Sequence, residues 1–251
     1  MEQQELWIKS TMDGTMQPSL FYQASGDEKR PLIVGLHSWS HDRFNMVNRM
    51  VPYAEKYNFN LILPEFRGAN MAENPNCREA CGSRVARQDI KDAMDYVVKE
   101  CNVDPDNIFL IGPSGGGMMA LLMCGLCPEY FRAAAAAVPI TDLNKWYQQV
   151  EKYRPKITAC CGDSEEERAD RSPMSYLDNI AKANLKIFHG KQDPLVPVTH
   201  SLELFAALME RYPQSRVYLD IFDGGHQMDM DAVMYWILSQ YQEKELEEVT
   251  G

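Results

Sequence analysis

Five histidines are all that the chain offers any chemistry needing an imidazole. It also has no apolar run of the roughly eighteen residues that cross a bilayer, which excludes a spanning helix. Its start, Met1-Glu2-Gln3-Gln4-Glu5, has neither the basic nor the apolar region of a secretory leader, so a cytoplasmic location is expected. Basic charge is scarce as well. Lys and Arg total 25 against 36 Asp and Glu, giving a net charge of -11 and an isoelectric point near 5.0. Self-repulsion of that size opposes nucleic acid and anionic membrane partners and leaves a neutral or small substrate. The seven cysteines are odd in number and fit a reducing compartment better than a disulfide framework. Cys124 and Cys127 fall on an apolar helical run, where a thiol is a small core group, so neither they nor Cys77, Cys81, Cys160 and Cys161 are read as a metal site. Cys77 and Cys81 sit in a polar stretch and could pair on oxidation. There is no linker and no internal repeat.

The most informative stretch is Ile111-Gly112-Pro113-Ser114-Gly115-Gly116-Gly117, a G-x-S-x-G pattern. Before it, Asn107 to Ile111 reads as a buried strand; after it, Met118 to Met123 reads as a helix. A serine on a sharp strand-to-helix turn has an exposed hydroxyl and faces helix N-terminal amides, the geometry of a nucleophile elbow. Its flanking glycines are needed because three backbones converge there. A phosphate loop is the rival reading. No Gly-Lys-Ser/Thr follows, and the glycine spacing does not match a dinucleotide fingerprint.

A serine hydroxyl is a weak nucleophile and needs an imidazole, which in turn needs a carboxylate to fix its tautomer. His226 lies in Asp223-Gly224-Gly225-His226, just after the strand-like Val217 to Phe222. Asp193 follows the strand-like Leu185 to His189. The order Ser114, Asp193, His226 is that of α/β-hydrolases and differs from the two serine-protease orders. Asp163 and Asp223 are competing acids, the first at the head of an acidic run and the second too close to His226 to reach it well. His189 is read as a satisfied core or turn group. An imidazole base works only when neutral, so activity is expected to fall in acid.

These segments, with the Ser10 to Gly14 turn and Pro64-Glu65-Phe66-Arg67-Gly68, resemble the prolyl oligopeptidase-like family of α/β-hydrolases over nearly the whole chain. The resemblance implies an α/β fold with a mostly parallel central sheet, helices on both faces and a small lid insertion. The alternation of strand-like and helical runs agrees, including a helix over 85–99 and strands beginning at Leu32, Phe59 and Ala133. With 251 residues and 45% hydrophobic content, residues 1–251 are read as a single domain, and residues around 141–180 as the lid-like insertion. The strand Leu32 to His37 runs into Ser38-Trp39-Ser40-His41, similar to the His-Gly-x loop of such hydrolases. By position, the backbone N–H groups of Trp39 and Gly115 are then the oxyanion donors. Ser38 stands where the family usually has glycine. His37 and Trp146 are the candidate pocket residues.

The implied activity is acyl transfer by a Ser114-His226-Asp193 triad through an acyl-enzyme, with no cofactor and no metal. Because oligopeptidases of the family carry a further large domain that this chain has no room for, the expectation is a short-acyl carboxylesterase. Acetyl or feruloyl esters of plant polysaccharides, acetylated xylan among them, are the substrate class the resemblance suggests. The alternatives are a small serine peptidase of the same family and a non-catalytic hydrolase-fold binding protein. A peptidase recognising a free amine would need an acidic pair at the pocket. Glu65 is the lone candidate, and it is read as an ion-pair partner of Arg67. Oligomeric state, homo-oligomer included, is left open.

Overall fold

The computed structural model describes residues 1–250, with side chains through Tyr241. Eight strands form one sheet: β1 (Gln3–Lys9), β2 (Met16–Tyr22), β3 (Arg30–Gly35), β4 (Asn60–Pro64), β5 (Val103–Pro113), β6 (Ala133–Ala137), β7 (Leu185–Gly190) and β8 (Val217–Phe222). Their spatial order is β1-β2-β4-β3-β5-β6-β7-β8. The β1–β2 and β2–β4 pairs are antiparallel, and the rest are parallel. Among the described residues nine α-helices accompany the sheet: α1 (Val47–Tyr57), α2 (Arg84–Glu100), α3 (Gly115–Leu126), α4 (Leu143–Gln149), α5 (Arg154–Cys161), α6 (Glu165–Asp170), α7 (Leu177–Ile180), α8 (Thr199–Arg211) and α9 (Met230–Thr250). This is the expected α/β-hydrolase arrangement.

Parallel strands buried on both faces should be apolar without interruption, and β6 and most of β3 and β4 are. Their side chains alternate between two cores. One core joins Leu32, Val34, Ile62, Leu110, Ala134 and Ala136 to α2, α3 and α8. The other joins Ile33, Leu61, Phe109, Ile111 and Ala135 to Met50 of α1 and Val233, Met234 and Ile237 of α9. The all-alanine β6 lets helices approach closely: a Cβ on Gly117 of α3 would lie 2.9 Å from the Ala137 carbonyl.

The reading of α2 as 85–99 falls one residue short at each end, because Ser83 caps the helix by accepting the Ala86 amide. Strand β5 starts earlier than the sequence pattern suggests. A register jump lets Val103 pair with Arg30 and Ile108 with Leu32, so Asp104 to Asp106 form an irregular step inside a strand. Among the described residues no helix is long and apolar enough to cross a membrane.

Two readings need correction. Glu65 pairs with Arg43 at 2.9 Å rather than with Arg67. Arg67 is buried and takes Asp89 at 2.5 Å, Glu79 at 2.6 Å and Asp13 at 2.9 Å. The positive φ of 76° at Arg67 turns its side chain inward to those acids. Cys81, read with Cys77 as part of a polar stretch where the two could pair on oxidation, is buried, and its Sγ lies 3.7 Å from Cys161 Sγ.

Candidate active site

Ser114, Asp193 and His226 sit beyond the C-terminal ends of parallel strands, where open α/β sheets leave a crevice. Ser114 follows β5 directly, with φ 55° and ψ -117°. That conformation is costly for a residue with a Cβ. It is held by the Ser114 amide donating to the Ala137 carbonyl at 2.8 Å and by the Met118 amide donating back to the Ser114 carbonyl at 2.9 Å. Gly112 and Gly116 must lack side chains, since a Cβ on Gly112 would sit 2.1 Å from the Gly116 oxygen.

Asp193 lies three residues past β7 and His226 four past β8. The Ser114 hydroxyl is 2.9 Å from His226 Nε2, and His226 Nδ1 is 2.6 Å from Asp193 Oδ2. These partners set the tautomer: Nδ1–H donates to the carboxylate, leaving Nε2 to accept the serine proton. The other Asp193 oxygen accepts the Leu195 and Val196 amides at 2.8 and 2.9 Å. Burial by itself would raise the Asp193 carboxyl. Hydrogen bonds from His189 and His226, and from the Val196 and Leu195 amides, outweigh burial and hold it well below the usual carboxylate range. Asp193 is therefore charged whenever His226 needs a counter-charge.

The loop after β3 meets the elbow at Trp39. A Cβ on Gly115 would lie 2.7 Å from both the Trp39 nitrogen and its Cα, so the two amides named from the sequence are neighbours. Two bonds fix this loop: the Asn70 amide donates to the Trp39 carbonyl at 2.8 Å, and the Ser38 amide donates to Asn45 Oδ1 at 3.0 Å. Asn45 and Asn70 were not legible as site residues, since neither belongs to a motif.

The structure does not bring the other candidates to the site. Asp163 is beside Thr158, and Asp223 pairs with Lys191 at 3.1 Å. His37, named as a pocket candidate, is buried, stacked on Phe66 at 3.8 Å, with Nε2 2.8 Å from the Glu65 carbonyl. Burial holds its pKa below the ordinary histidine value. Trp146, the other pocket candidate, is 1% exposed. It works as a bridge instead. Its Nε1 donates to the Leu195 carbonyl at 2.8 Å, its ring meets Trp39 edge-on at 4.8 Å, and Tyr153 stacks on it at 4.3 Å. Through Trp146, the insertion between β6 and β7 touches both the acid loop and the loop after β3.

A cavity of about 200 Å³ opens at Ser114 and His226. Ser38, His41, Asn45, Arg49, Gln227 and Met228 are among its walls. A larger groove of about 460 Å³, between Arg84, Glu166 and Asp170, holds none of the triad.

The sequence model of the prolyl oligopeptidase family matches residues 53–243. The chain belongs to the prolyl oligopeptidase family. It is a serine hydrolase at that level. It is similar to the human acylamino-acid-releasing enzyme, with 28% identity over 228 residues that cover 82% of this chain and 31% of the human protein. It thus spans under a third of the length of that relative. Among solved structures, it superposes on the acylaminoacyl peptidase of Pyrococcus horikoshii with a TM-score of 0.73 and 20% identity, covering 90% of this chain and 37% of that one. A puromycin-hydrolyzing peptidase of Mycobacterium tuberculosis gives a TM-score of 0.74 at 17% identity, covering 94% and 38%. These structural likenesses establish the fold.

Proposed function

We propose that the protein is a serine peptidase that cleaves amide bonds of short N-acylated peptides, releasing the acylated amino acid. The hydrogen-bonded chain from Ser114 through His226 to Asp193 carries the hydrolase part of this reading. The acylamino-acid-releasing enzymes among the relatives support amide over ester as the natural substrate. The surroundings of the nucleophile support an acylated rather than a free N-terminus. Glu65, the acid that the sequence offers for holding an amine, is occupied by the Arg43 amide and guanidinium.

In this mechanism, His226 Nε2 takes the proton as Ser114 Oγ attacks the amide carbonyl. Asp193 stabilises the imidazolium that results. The amides of Trp39 and Gly115 hold the tetrahedral oxyanion, each donor contributing roughly 3 kcal/mol. The C–N bond then breaks, and His226 returns the proton to the leaving nitrogen. Water, activated by the same imidazole, hydrolyses the acyl-enzyme.

The second reading is a short-acyl carboxylesterase. The same Ser114, His226 and Asp193 geometry would serve an ester, whose alkoxide leaves more readily. None of the relatives supports acetylated xylan as its substrate. The test compares wild type and Ser114→Ala on N-acetyl-alanine p-nitroanilide, unblocked alanine p-nitroanilide, p-nitrophenyl acetate and acetylated xylan. The peptidase reading expects turnover of the acetylated anilide, lost in the variant. Ester turnover with no anilide turnover would replace it with the esterase.

A further inference from the structure

Among the described residues, the one permanently charged side chain lining the cavity at the nucleophile is a cation, Arg49, in a chain of net charge -11. The cavity's ionisable walls are His226 itself, His41 and Arg49. Arg49 has no ion-pair partner among the described residues. Its neighbour Arg43, by contrast, is neutralised by Glu5 and Glu65 at 2.9 Å each. Arg49 also stands in the first turn of α1, a turn without an acidic residue. A cation there is opposed by the helix dipole, so folding stability gives no reason for it.

The direction of the reaction assigns this cavity to one side of the scissile bond. His226 delivers its proton to the leaving nitrogen, so the leaving portion must lie against His226. The same cavity that His226 lines, together with Gln227 and Met228, is also lined by Ser38, His41 and Arg49. At about 200 Å³ it is smaller than the roughly 300–1,000 Å³ of drug-sized ligand sites. It suits a single leaving amino acid. The carboxylate of such a residue is two bonds from its nitrogen, and a guanidinium is the side chain best matched to a carboxylate.

We propose that Arg49, with His41 beside it, is a specificity-determining residue for leaving groups that carry a carboxylate: the preferred substrates are N-acylated dipeptides with a free C-terminus. This rests on the peptidase reading and narrows it. The scissile C–N bond breaks, the leaving amino acid takes the proton that His226 took from Ser114, and its carboxylate stays paired with Arg49 until release.

The experiment measures kcat/KM for N-acetyl-Ala-Ala, N-acetyl-Ala-Ala-amide and N-acetyl-alanine p-nitroanilide with wild type, Arg49→Gln and Arg49→Lys. Wild type is expected to favour the free acid over its amide by about tenfold or more, chiefly through KM. That ratio should fall toward one in Arg49→Gln and be largely kept in Arg49→Lys. It should also shrink as salt screens the half-open site. An acid-to-amide ratio near one in wild type, with the anilide turned over, overturns this inference and leaves the peptidase reading standing. A ratio kept in Arg49→Gln overturns it too. No turnover of any of the three substrates overturns both.

Discussion

His189 Nε2 lies 3.4 Å from Asp193 Oδ2, the same carboxylate oxygen that His226 approaches at 2.6 Å. The His189 ring is fully buried, and its donor goes mainly to the Val196 carbonyl at 2.9 Å, while Nδ1 accepts the Ser201 hydroxyl at 2.7 Å. It ties β7, the acid loop and α8 together and fixes where Asp193 can point. Replacing His189 with Phe leaves the Val196 carbonyl and the Ser201 hydroxyl buried without partners, at roughly 1–3 kcal/mol each. A lowered denaturation midpoint together with a loss in kcat larger than any change in KM is expected. A fall in stability alone would reduce His189 to a core residue with no hold on the triad.

Asp193→Asn should cost activity far more than Asp163→Asn. An amide at position 193 loses the charge and can no longer enforce the His226 tautomer, a change that costs about 10⁴ in kcat in other serine triads. Asp163 touches Thr158 at 3.4 Å and lies outside the triad, so its replacement should leave kcat within about twofold. Parallel kcat measurements decide the matter. Equal losses would move the orienting acid away from Asp193.

Gly115→Ala places a methyl group 2.7 Å from the Trp39 nitrogen and Cα, so the elbow and the loop after β3 must separate. Losing the alignment of one oxyanion donor costs about 10²–10³ in kcat. The contact is with backbone at the rim of the sheet, and the core strands stay packed. The expected result is a near-normal melting transition with kcat reduced by at least about 10². Unchanged kcat would remove Trp39 and Gly115 from the oxyanion site.

The triad was legible because three local patterns, each weak by itself, fell in a chain order that few folds share. Gly112 and Gly116 were legible for a steric reason that the structure bears out at 2.1 Å and 2.5 Å. Side chains whose roles depend on distant partners were not. Trp146 looks like a pocket aromatic in sequence, but it meets a carbonyl 49 residues away. His37 occupies the loop expected to face substrate, yet Phe66 stacks on it and draws it into the core. Glu65 was read as the partner of its sequence neighbour Arg67, and the fold pairs it instead with Arg43, 22 residues away. Arg49 belongs to no motif, and what singles it out, a place on the cavity wall with no ion-pair partner among the described residues, is recorded by no sequence pattern.

His200 gives the clearest dependence of stability on pH. It is fully buried in α8, its Nδ1 facing the Thr141 amide and hydroxyl at 3.3 Å, and its Nε2 has no partner among the described residues. Burial, reinforced by the charge of Lys145 and only partly offset by Asp193, holds its pKa down at about 3. In the unfolded chain a histidine titrates near about 6.5. The unfolded state therefore binds the proton more readily, and the stability of the neutral folded form is fully present above about pH 6.5 and drains away as pH falls toward 3. At pH 5 the loss amounts to about 2 kcal/mol, from roughly 1.5 pH units at 1.36 kcal/mol each. His200→Gln carries no titrating group at that position. Urea denaturation of both proteins at pH 7.5 and pH 5 should show wild type losing about 2 kcal/mol more than the variant across that interval. An identical loss in the two proteins would mean that His200 does not stay neutral in the folded state, and the acid sensitivity would have to arise elsewhere.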